Sequence, residues 1–169
     1  ERSSFQQLRI APEARALRHI FFAEREAARG DPGRSAKPLP LDRLGVIGSG
    51  TMGAGIATAM LQAGRPVVLV DAEPEALARG IARIDEALEV AVKRGKMSAE
   101  AASAARARLE PGTDLAALGT CDLVIEAVFE EAGVKQALFA RLGGILRPDA
   151  VLATNTSYLD IDAMAQAIP

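Results

Sequence analysis

A glycine-rich turn between an apolar run and a helical pattern holds the residues best suited to chemistry. The turn reads Gly48-Ser49-Gly50-Thr51-Met52-Gly53, and the apolar run before it begins at Leu44. In this pattern Gly48 permits a tight turn, Gly50 lets the backbone approach a pyrophosphate, and Gly53 lets a helix pack closely on the strand. The free N–H groups and the positive dipole end of that helix can bind the phosphates. The spacing therefore predicts a dinucleotide site.

Asp71 ends a second apolar run, residues 67–70. A carboxylate at this point can accept hydrogen bonds from the adenosine ribose hydroxyls, and it repels the 2′-phosphate of NADP. Residues 72–76 contain no basic side chain that would offset this repulsion, so NAD is favoured as the cofactor. The alternative is a glycine-kinked buried turn of another α/β protein, in which Asp71 only caps the helix that begins near Pro74.

The composition limits the classes of function. The chain has 169 residues, 49% of them hydrophobic, which is enough for one globular domain with a core. Its net charge of −2 gives no electrostatic reason to expect nucleic acid or an anionic membrane as a partner. It contains no run of about 18 apolar residues, the length of a membrane span. Cys121 is the only cysteine, and we expect it to be a small buried packing residue. His19 is the only histidine, and we expect it to be structural or exposed. We therefore expect no metal site.

Strands that are apolar throughout alternate with helical patterns, which is typical of a parallel sheet covered on both faces. Helix 52–64 is expected to bury a face of Ile56, Ala59, Met60 and Ala63, and two consecutive helices before the third strand indicate a projecting helical hairpin. The predicted fold class is α/β, a Rossmann-type doubly wound, mainly parallel sheet with a helical hairpin insertion and an N-terminal linker helix. The predicted elements are helix 12–29, a proline-rich linker 31–43, strand 44–48, helix 52–64, strand 67–71, helix 74–94, a helix capped by Ser98, and then strand 109–113, strand 123–128, helix 131–146 and strand 151–154.

Three sequence segments together resemble the L-3-hydroxyacyl-CoA dehydrogenases of fatty-acid β-oxidation. They are the segment 46–57 around the glycine turn, the segment 122–130 with Lys135 after it, and Thr154-Asn155-Thr156-Ser157-Tyr158-Leu159. The segment 14–25 also resembles the helix that joins the enoyl-CoA hydratase half to the dehydrogenase half in bifunctional enzymes of that pathway. The domains are accordingly predicted as 1–43, linker helix and linker, and 44–169, the NAD-binding domain.

The resemblance implies NAD as cofactor and a set of site residues. It makes Ser157 a catalytic residue that contacts both the nicotinamide side of the cofactor and the 3-hydroxyl of the substrate. It also makes the helical hairpin of residues 74–108 similar to a segment that touches coenzyme A. The implied cofactor-binding residues are Gly48, Ser49, Gly50, Thr51, Met52, Gly53, Asp71, Ala127, Val128, Glu130, Lys135, Asn155 and Ser157.

From spacing alone, simpler roles remain open for three of these residues. Ser157 could cap a helix that starts near Asp160, a common role for serine. Glu130 and Lys135 could belong to an ordinary solvated helix face. Asn155-Thr156-Ser157 also matches a glycosylation sequon, which without a secretory signal is expected to be a chance match.

The family's general-base histidine and its helical C-terminal domain lie beyond the serine motif, and His19 cannot replace that histidine. Since the chain also begins with Glu1, we expect a piece of a longer protein that binds NAD but is nearly inactive alone. Its expected partners are an acyl-CoA substrate, a hydratase half and a C-terminal helical domain, and its expected location is the cytoplasm, or a peroxisome or mitochondrion in a eukaryote. Two other classes stay open: a β-hydroxyacid dehydrogenase of the 3-hydroxyisobutyrate or 6-phosphogluconate kind, and a non-catalytic module that only binds the dinucleotide. A purely structural piece that binds nothing is a third alternative, against which the intact glycine loop with its acid argues.

Overall fold

The computed structural model describes residues 1–29 and 39–168. Contacts within the chain divide it into two units, Glu1–Leu39 and Pro40–Pro169. Most of the predicted linker 31–43 lies outside the described residues, so the predicted domain boundary stays a prediction.

The first unit contains two helices. Helix α2 runs from Pro12 to Arg29, as the proline at its first position and the glycine after it predict. Helix α1, Arg2–Ile10, precedes it and is not predicted by the sequence pattern. Neither helix contains a buried residue, and the guanidinium of Arg25 lies 4.0 Å from the ring centre of Phe21.

The second unit is built on a five-stranded sheet in the order β3-β2-β1-β4-β5, with every neighbouring pair parallel. This order places β1 at the centre, with the chain winding outwards in one direction to β3 and in the other to β5, so the predicted doubly wound fold is confirmed. Its elements are β1 (Leu44–Ile47), α3 (Thr51–Gln62), β2 (Val67–Val70), α4 (Pro74–Lys93), α5 (Ala99–Arg106), β3 (Leu109–Gly112), a 3-10 helix (Leu115–Thr120), β4 (Leu123–Glu126), α6 (Ala132–Gly143), β5 (Val151–Thr154) and α7 (Ile161–Ala165).

Two apolar cores lie on opposite faces of this sheet, because successive side chains of a strand point to opposite faces. Val46 of β1 belongs to the core formed with α3, α4 and α5, whereas Ile47 belongs to the core formed with the 3-10 helix and α6. Cys121 is fully buried in the second core, which confirms its predicted packing role, and burial raises the pKa of its thiol. Both faces of the sheet are therefore covered by packed apolar side chains.

Two details of the helices differ from the sequence prediction. Of the predicted face of α3, Ile56 and Met60 are partly buried and pack against the core, whereas Ala59 and Ala63 are exposed. The buried residues of α3 are Gly53, Ala54, Ala57, Thr58 and Leu61. The α4–α5 hairpin does not project freely, because α4 buries five residues along its length and Ala105 of α5 joins the same core. Which stripe of α3 is most deeply buried, and whether the hairpin packs on the domain, is decided by tertiary packing.

Candidate active site

The glycine loop, residues 48–53, connects β1 to α3 with contacts that only glycine permits at two positions. Gly48 has a φ of +92°, and a Cβ on it would lie 2.6 Å from the carbonyl oxygen of Ala127. A Cβ on Gly53 would lie 1.8 Å from the carbonyl oxygen of Gly48. Real atoms do not approach so closely, so the tight turn and the close helix packing expected from the sequence are present.

Gly50 is different, because a Cβ built on it would meet no atom within 4 Å. It is the N-cap of α3, and no side chain caps the helix there. The first N–H groups of α3 therefore keep their hydrogen-bonding capacity for a ligand. Thr51 and Met52, the first two helical residues, are exposed. An open backbone cradle at a helix start suits a pyrophosphate group, so the residues present fit the dinucleotide expected from the sequence.

Asp71 is anchored to the glycine loop through Ser49, which is fully buried. The Ser49 hydroxyl and N–H donate to Asp71 Oδ2 at 2.6 and 2.8 Å, and the Glu73 N–H donates to Oδ1 at 3.1 Å. Partial burial disfavours the charged form, but these hydrogen bonds and the positive charge of Arg79 hold the pKa of Asp71 below its ordinary value. Asp71 is thus a fixed anion beside the loop, and Glu73, not Asp71, is the N-cap of α4.

Helix α4 packs against the glycine loop where Gly80 meets Ser49, a contact that was not predicted from the sequence. A Cβ on Gly80 would lie 2.5 Å from Ser49 Cβ and 2.6 Å from the Ser49 carbonyl oxygen. Any larger residue at position 80 must push α4 away from the loop. Gly80 therefore sets the position of Ser49 and, through it, the orientation of Asp71.

A cleft of about 680 Å³ opens at the carboxyl edge of the sheet, between the loops that follow β1, β2 and β4. This is where the chain winding reverses, the place at which open α/β sheets bind ligands. Five of the predicted cofactor-binding residues line it: Gly48, Gly50, Asp71, Ala127 and Val128. Phe129, whose side chain is 78% exposed, lies at the same cleft and offers an apolar surface.

A charge network lies on the β4–β5 side of this edge, and it consists of the buried Glu126 and Lys135 and the partly exposed Glu130, Thr154 and Thr156. Lys135 Nζ lies 2.8 Å from both carboxylate oxygens of Glu126 and 2.9 Å from Glu130 Oε2. The Lys135 side chain is 1% exposed and the Glu126 side chain is fully buried. The simpler reading of Lys135 as part of a solvated helix face is therefore wrong.

Two threonines connect the network to the end of β5. Thr154 Oγ1 donates to Glu126 Oε2 at 2.6 Å, and the Thr156 hydroxyl donates to Glu130 Oε1. Burial on its own lowers the pKa of Lys135, but the hydrogen bonds and charges of both glutamates raise it above its ordinary value. The hydrogen bond from Thr156, together with Lys135, lowers the pKa of Glu130. Lys135 is therefore a cation whose charge is neutralised by the carboxylates of Glu126 and Glu130.

Ser157 follows this network and is exposed. The Ser157 N–H donates to Glu130 Oε1 at 3.4 Å. Two residues earlier, the Asn155 N–H donates to the Glu126 carbonyl oxygen at 2.8 Å. Ser157 does not cap α7, because the side chain of Asp160 accepts from the N–H groups of Asp162 and Ala163. Within residues 1–29 and 39–168 we find no hydrogen bond to the Ser157 hydroxyl, which leaves it available to a ligand.

Glu126, Thr154 and Thr156 belong to the site but were not predicted from the sequence as site residues. A signal for Glu126 is present, since it is the one charged residue in the apolar run 123–128. A carboxylate at the end of a buried strand needs a partner, and Lys135 follows within the next helix. The two threonines carry no comparable signal, because threonine is common at strand ends.

Two further observations concern the described part of the chain. None of its helices is long and apolar enough to cross a membrane. Among residues 1–29 and 39–168, no group of three His, Cys, Asp or Glu side chains is arranged to hold a metal ion, and His19 is exposed on α2.

The strand order, the glycine loop and the anchored acid at the end of β2 define a dinucleotide-binding domain of the Rossmann class. The family model described as "3-hydroxyacyl-CoA dehydrogenase, NAD binding domain" matches residues 43–169. The chain belongs to that family, and its cofactor is NAD.

The relatives include multidomain enzymes and shorter dehydrogenases. The chain is 38% identical over 172 residues to the peroxisomal bifunctional enzyme of Homo sapiens, covering 99% of this chain but 24% of that protein. It is 48% identical over 130 residues to the 3-hydroxyadipyl-CoA dehydrogenase of Escherichia coli, covering 77% of this chain and 27% of that one. The crystal structure of 3-hydroxybutyryl-CoA dehydrogenase from Escherichia coli superposes with a TM-score of 0.75 at 46% identity, covering 78% of this chain and 28% of that one. The chain thus spans about a quarter of the length of each of these three proteins.

Proposed function

We propose that the protein carrying this chain oxidises 3-hydroxyacyl-CoA thioesters to 3-ketoacyl-CoA with NAD as the hydride acceptor. The observation that carries the proposal is the convergence of two features at one sheet edge in a member of this family. One is the glycine loop with its anchored Asp71, and the other is the exposed Ser157, presented by the charge network. Dehydrogenation of an alcohol requires the cofactor and a hydrogen-bond donor to the reacting oxygen to lie together.

The residues of the glycine loop and Asp71 would bind the cofactor by its pyrophosphate and adenosine ribose. NAD, when bound, supplies the carbon atom that accepts the hydride from C3 of the substrate. Ser157 would donate a hydrogen bond to the oxygen on C3 and so orient that carbon and stabilise charge on the oxygen. The proton of the 3-hydroxyl would pass to a general base, for which the family resemblance implies a histidine after the serine motif. Thr51, Met52, Ala127, Val128, Glu130, Lys135 and Asn155 would complete the cofactor site, with Lys135 acting through the two glutamates because its amine is already fully paired.

Calorimetric titration of the chain with NAD and, separately, with NADP tests the cofactor half of the proposal. We expect NAD to bind more tightly than NADP, and Asp71→Ala to weaken NAD binding by about tenfold or more, because a hydrogen bond to a charged group contributes about 1.5–3 kcal/mol. The preference over NADP should disappear in this variant. Equal binding of both cofactors by the unaltered chain would contradict the assignment of Asp71.

Activity of the full-length protein tests the reaction. We expect NADH to form with 3-hydroxyacyl-CoA and not with free 3-hydroxyisobutyrate or 6-phosphogluconate, and we expect Ser157→Ala to lower kcat by about 100-fold. The matched control is Thr120→Ala, because Thr120 is an exposed hydroxyl residue just before β4, at the opposite edge of the sheet. Turnover of the free hydroxy acids would favour a β-hydroxyacid dehydrogenase, and binding of NAD without turnover of any of these substrates would favour a non-catalytic module.

Similarity to the relatives also suggests which further domains the full-length protein contains and where it is located. A hydratase half before this chain and a helical C-terminal domain after it would fit the match with the human bifunctional enzyme, which extends through α1 and α2. We propose a peroxisomal or mitochondrial location if the source is a eukaryote and a cytoplasmic one otherwise. Sedimentation of the full-length protein after limited proteolysis would show whether such halves separate.

A further inference from the structure

We propose that Glu126 is the positioning residue for Ser157. It acts through the charge network and shapes the backbone that presents the serine. The inference rests on the proposed function, because it deepens the account of the same site. Glu126 is not itself a residue of the cleft lining and makes no hydrogen bond to Ser157 among the described residues, and its side chain is fully buried at the carboxyl end of β4.

Three separate connections lead from Glu126 to the segment after β5. The carbonyl oxygen of Glu126 accepts from the Asn155 N–H at 2.8 Å. Its Oε2 accepts from Thr154 Oγ1 at 2.6 Å, and the same Thr154 oxygen accepts from the Thr156 N–H at 3.3 Å. A single residue of β4 thus fixes Thr154, Asn155 and Thr156 in turn.

The third connection passes through Lys135 and ends at Ser157 itself. Both carboxylate oxygens of Glu126 hold Lys135 Nζ at 2.8 Å, and Lys135 holds Glu130 Oε2 at 2.9 Å. The other oxygen of Glu130 accepts from the Thr156 hydroxyl and from the Ser157 N–H. Since the Ser157 hydroxyl has no hydrogen bond among the described residues, its place depends on this backbone.

Glu126 also shapes the cleft wall on its own strand. Its Oε1 accepts from the Val128 N–H at 2.7 Å, and Ala127 and Val128 line the cleft. The Ala127 carbonyl oxygen lies against Gly48, at the start of the glycine loop. One buried carboxylate therefore contacts both the wall of the cleft and the serine segment that follows β5.

Stability does not explain the presence of this group. Burying a carboxylate and an ammonium carries a desolvation penalty that can exceed their attraction, and apolar residues of similar size often fit such a place as well or better. A buried polar network whose members are satisfied does, however, select one geometry. Misplacement of a reacting group by about 1 Å can lower a rate by about 100-fold. A network that fixes the position of Ser157 therefore favours catalysis even if it adds no stability.

A double-mutant cycle in the full-length protein tests the inference. We expect Glu126→Gln to lower kcat by about tenfold or more in the unaltered background but by less than about twofold in the Ser157→Ala background, because the effect passes through the serine. A role in stability alone would lower kcat by the same factor in both backgrounds, and that result would overturn the inference. Asp42→Asn, at an exposed residue before β1, is the control and should leave kcat unchanged.

Two further measurements keep the inference testable if the first variant folds poorly or the protein shows no dehydrogenase activity. Thr154→Val removes one connection to Glu126 and enters the same cycle in place of Glu126→Gln, with the same expected non-additivity. Amide hydrogen exchange of the Glu126→Gln chain should be faster at Thr156 and Ser157, with Leu69 of β2 unchanged. An equal increase at Leu69 would mean general loosening and would overturn the inference, whereas absence of activity in the unaltered protein would overturn only the proposed function.

Discussion

The two sides of the sheet's carboxyl edge are held in place by different physics. On the β1–β2 side, the glycine loop is fixed by steric exclusion: Gly48 and Gly53 approach backbone atoms where no Cβ fits. On the β4–β5 side, the serine segment is fixed by a buried ion network around Lys135. The β1–β2 side is held by close backbone contacts that require glycines without a Cβ atom. The β4–β5 side is held by charged side chains that must all be paired.

This difference determines how each side fails. A steric arrangement tolerates loss of neighbouring polar groups but not one added methyl group. An ionic network tolerates conservative changes of shape but not loss of one charge, because the remaining charges stay buried without partners. Variants that change one side and not the other can therefore break or sharpen the comparison.

The largest effect should come from Lys135→Met. This change leaves Glu126 buried without its cation, so we expect the free energy of unfolding to fall by about 3–5 kcal/mol. Urea denaturation followed by circular dichroism measures it. The matched control is Lys93→Met, because Lys93 pairs with Glu89 at 3.6 Å on an exposed helix surface and should contribute less than about 0.5 kcal/mol. Similar losses in both variants would mean that the buried network behaves as a surface ion pair.

Gly53→Ala should have the next largest effect and act on the other side. Its Cβ would lie 1.8 Å from the Gly48 carbonyl oxygen, so α3 must move away from β1, and we expect a loss of about 3 kcal/mol. Gly55→Ala is the control on the same helix, because a Cβ there meets no atom within 4 Å. It should stabilise the chain by about 0.5–1 kcal/mol, since alanine favours a helix over glycine. Changes of the same sign in both would contradict the steric account.

Ser49→Ala tests the hydrogen bond between the Ser49 and Asp71 side chains on the steric side. It keeps the Cβ that packs near Gly80 but removes the hydroxyl that donates to Asp71, and it should cost about 1.5 kcal/mol. The pKa of Asp71 should rise towards its ordinary value, which an NMR titration of the carboxyl carbon measures. An unchanged pKa would show that the backbone N–H groups alone hold the anion.

The smallest effect should be a difference in pH dependence on the ionic side. Because the pKa of Glu130 is lowered in the folded chain from its ordinary value of 4.5, the unfolded chain binds more protons in mild acid. Its contribution to stability is complete above that pH and is lost as the pH falls through the folded pKa. Thr156→Val removes the first of the hydrogen bonds that lower this pKa, so urea unfolding from about pH 6 to about pH 3 should show a shallower decline. A decline as steep as in the unaltered chain would assign the acid sensitivity to another carboxylate.

The sequence by itself determined the features whose causes are local. Gly48, Gly50 and Gly53 follow an apolar strand at fixed spacing, and the end of the next strand places Asp71 beside them, so the class of cofactor and the doubly wound sheet could be predicted. The helix over Pro12–Arg29 was predictable for the same reason, because its proline, its acidic first turn and the glycine after it are neighbours in the chain.

Only the tertiary structure decided which groups meet across the sheet. Glu126 accepts from Lys135 nine residues away and from Thr154 twenty-eight residues away, and these contacts exist because β4 and β5 pair in one register and α6 packs beside them. The contact of Gly80 with Ser49 likewise depends on how α4 settles on the loop. The face of α3 was predicted only in part: Ile56 and Met60 pack against the core, but Ala59 and Ala63 are exposed. Sequence spacing encodes distances along the chain, but the pairing of buried charges depends on distances through space, which are fixed only when the strands and helices have packed.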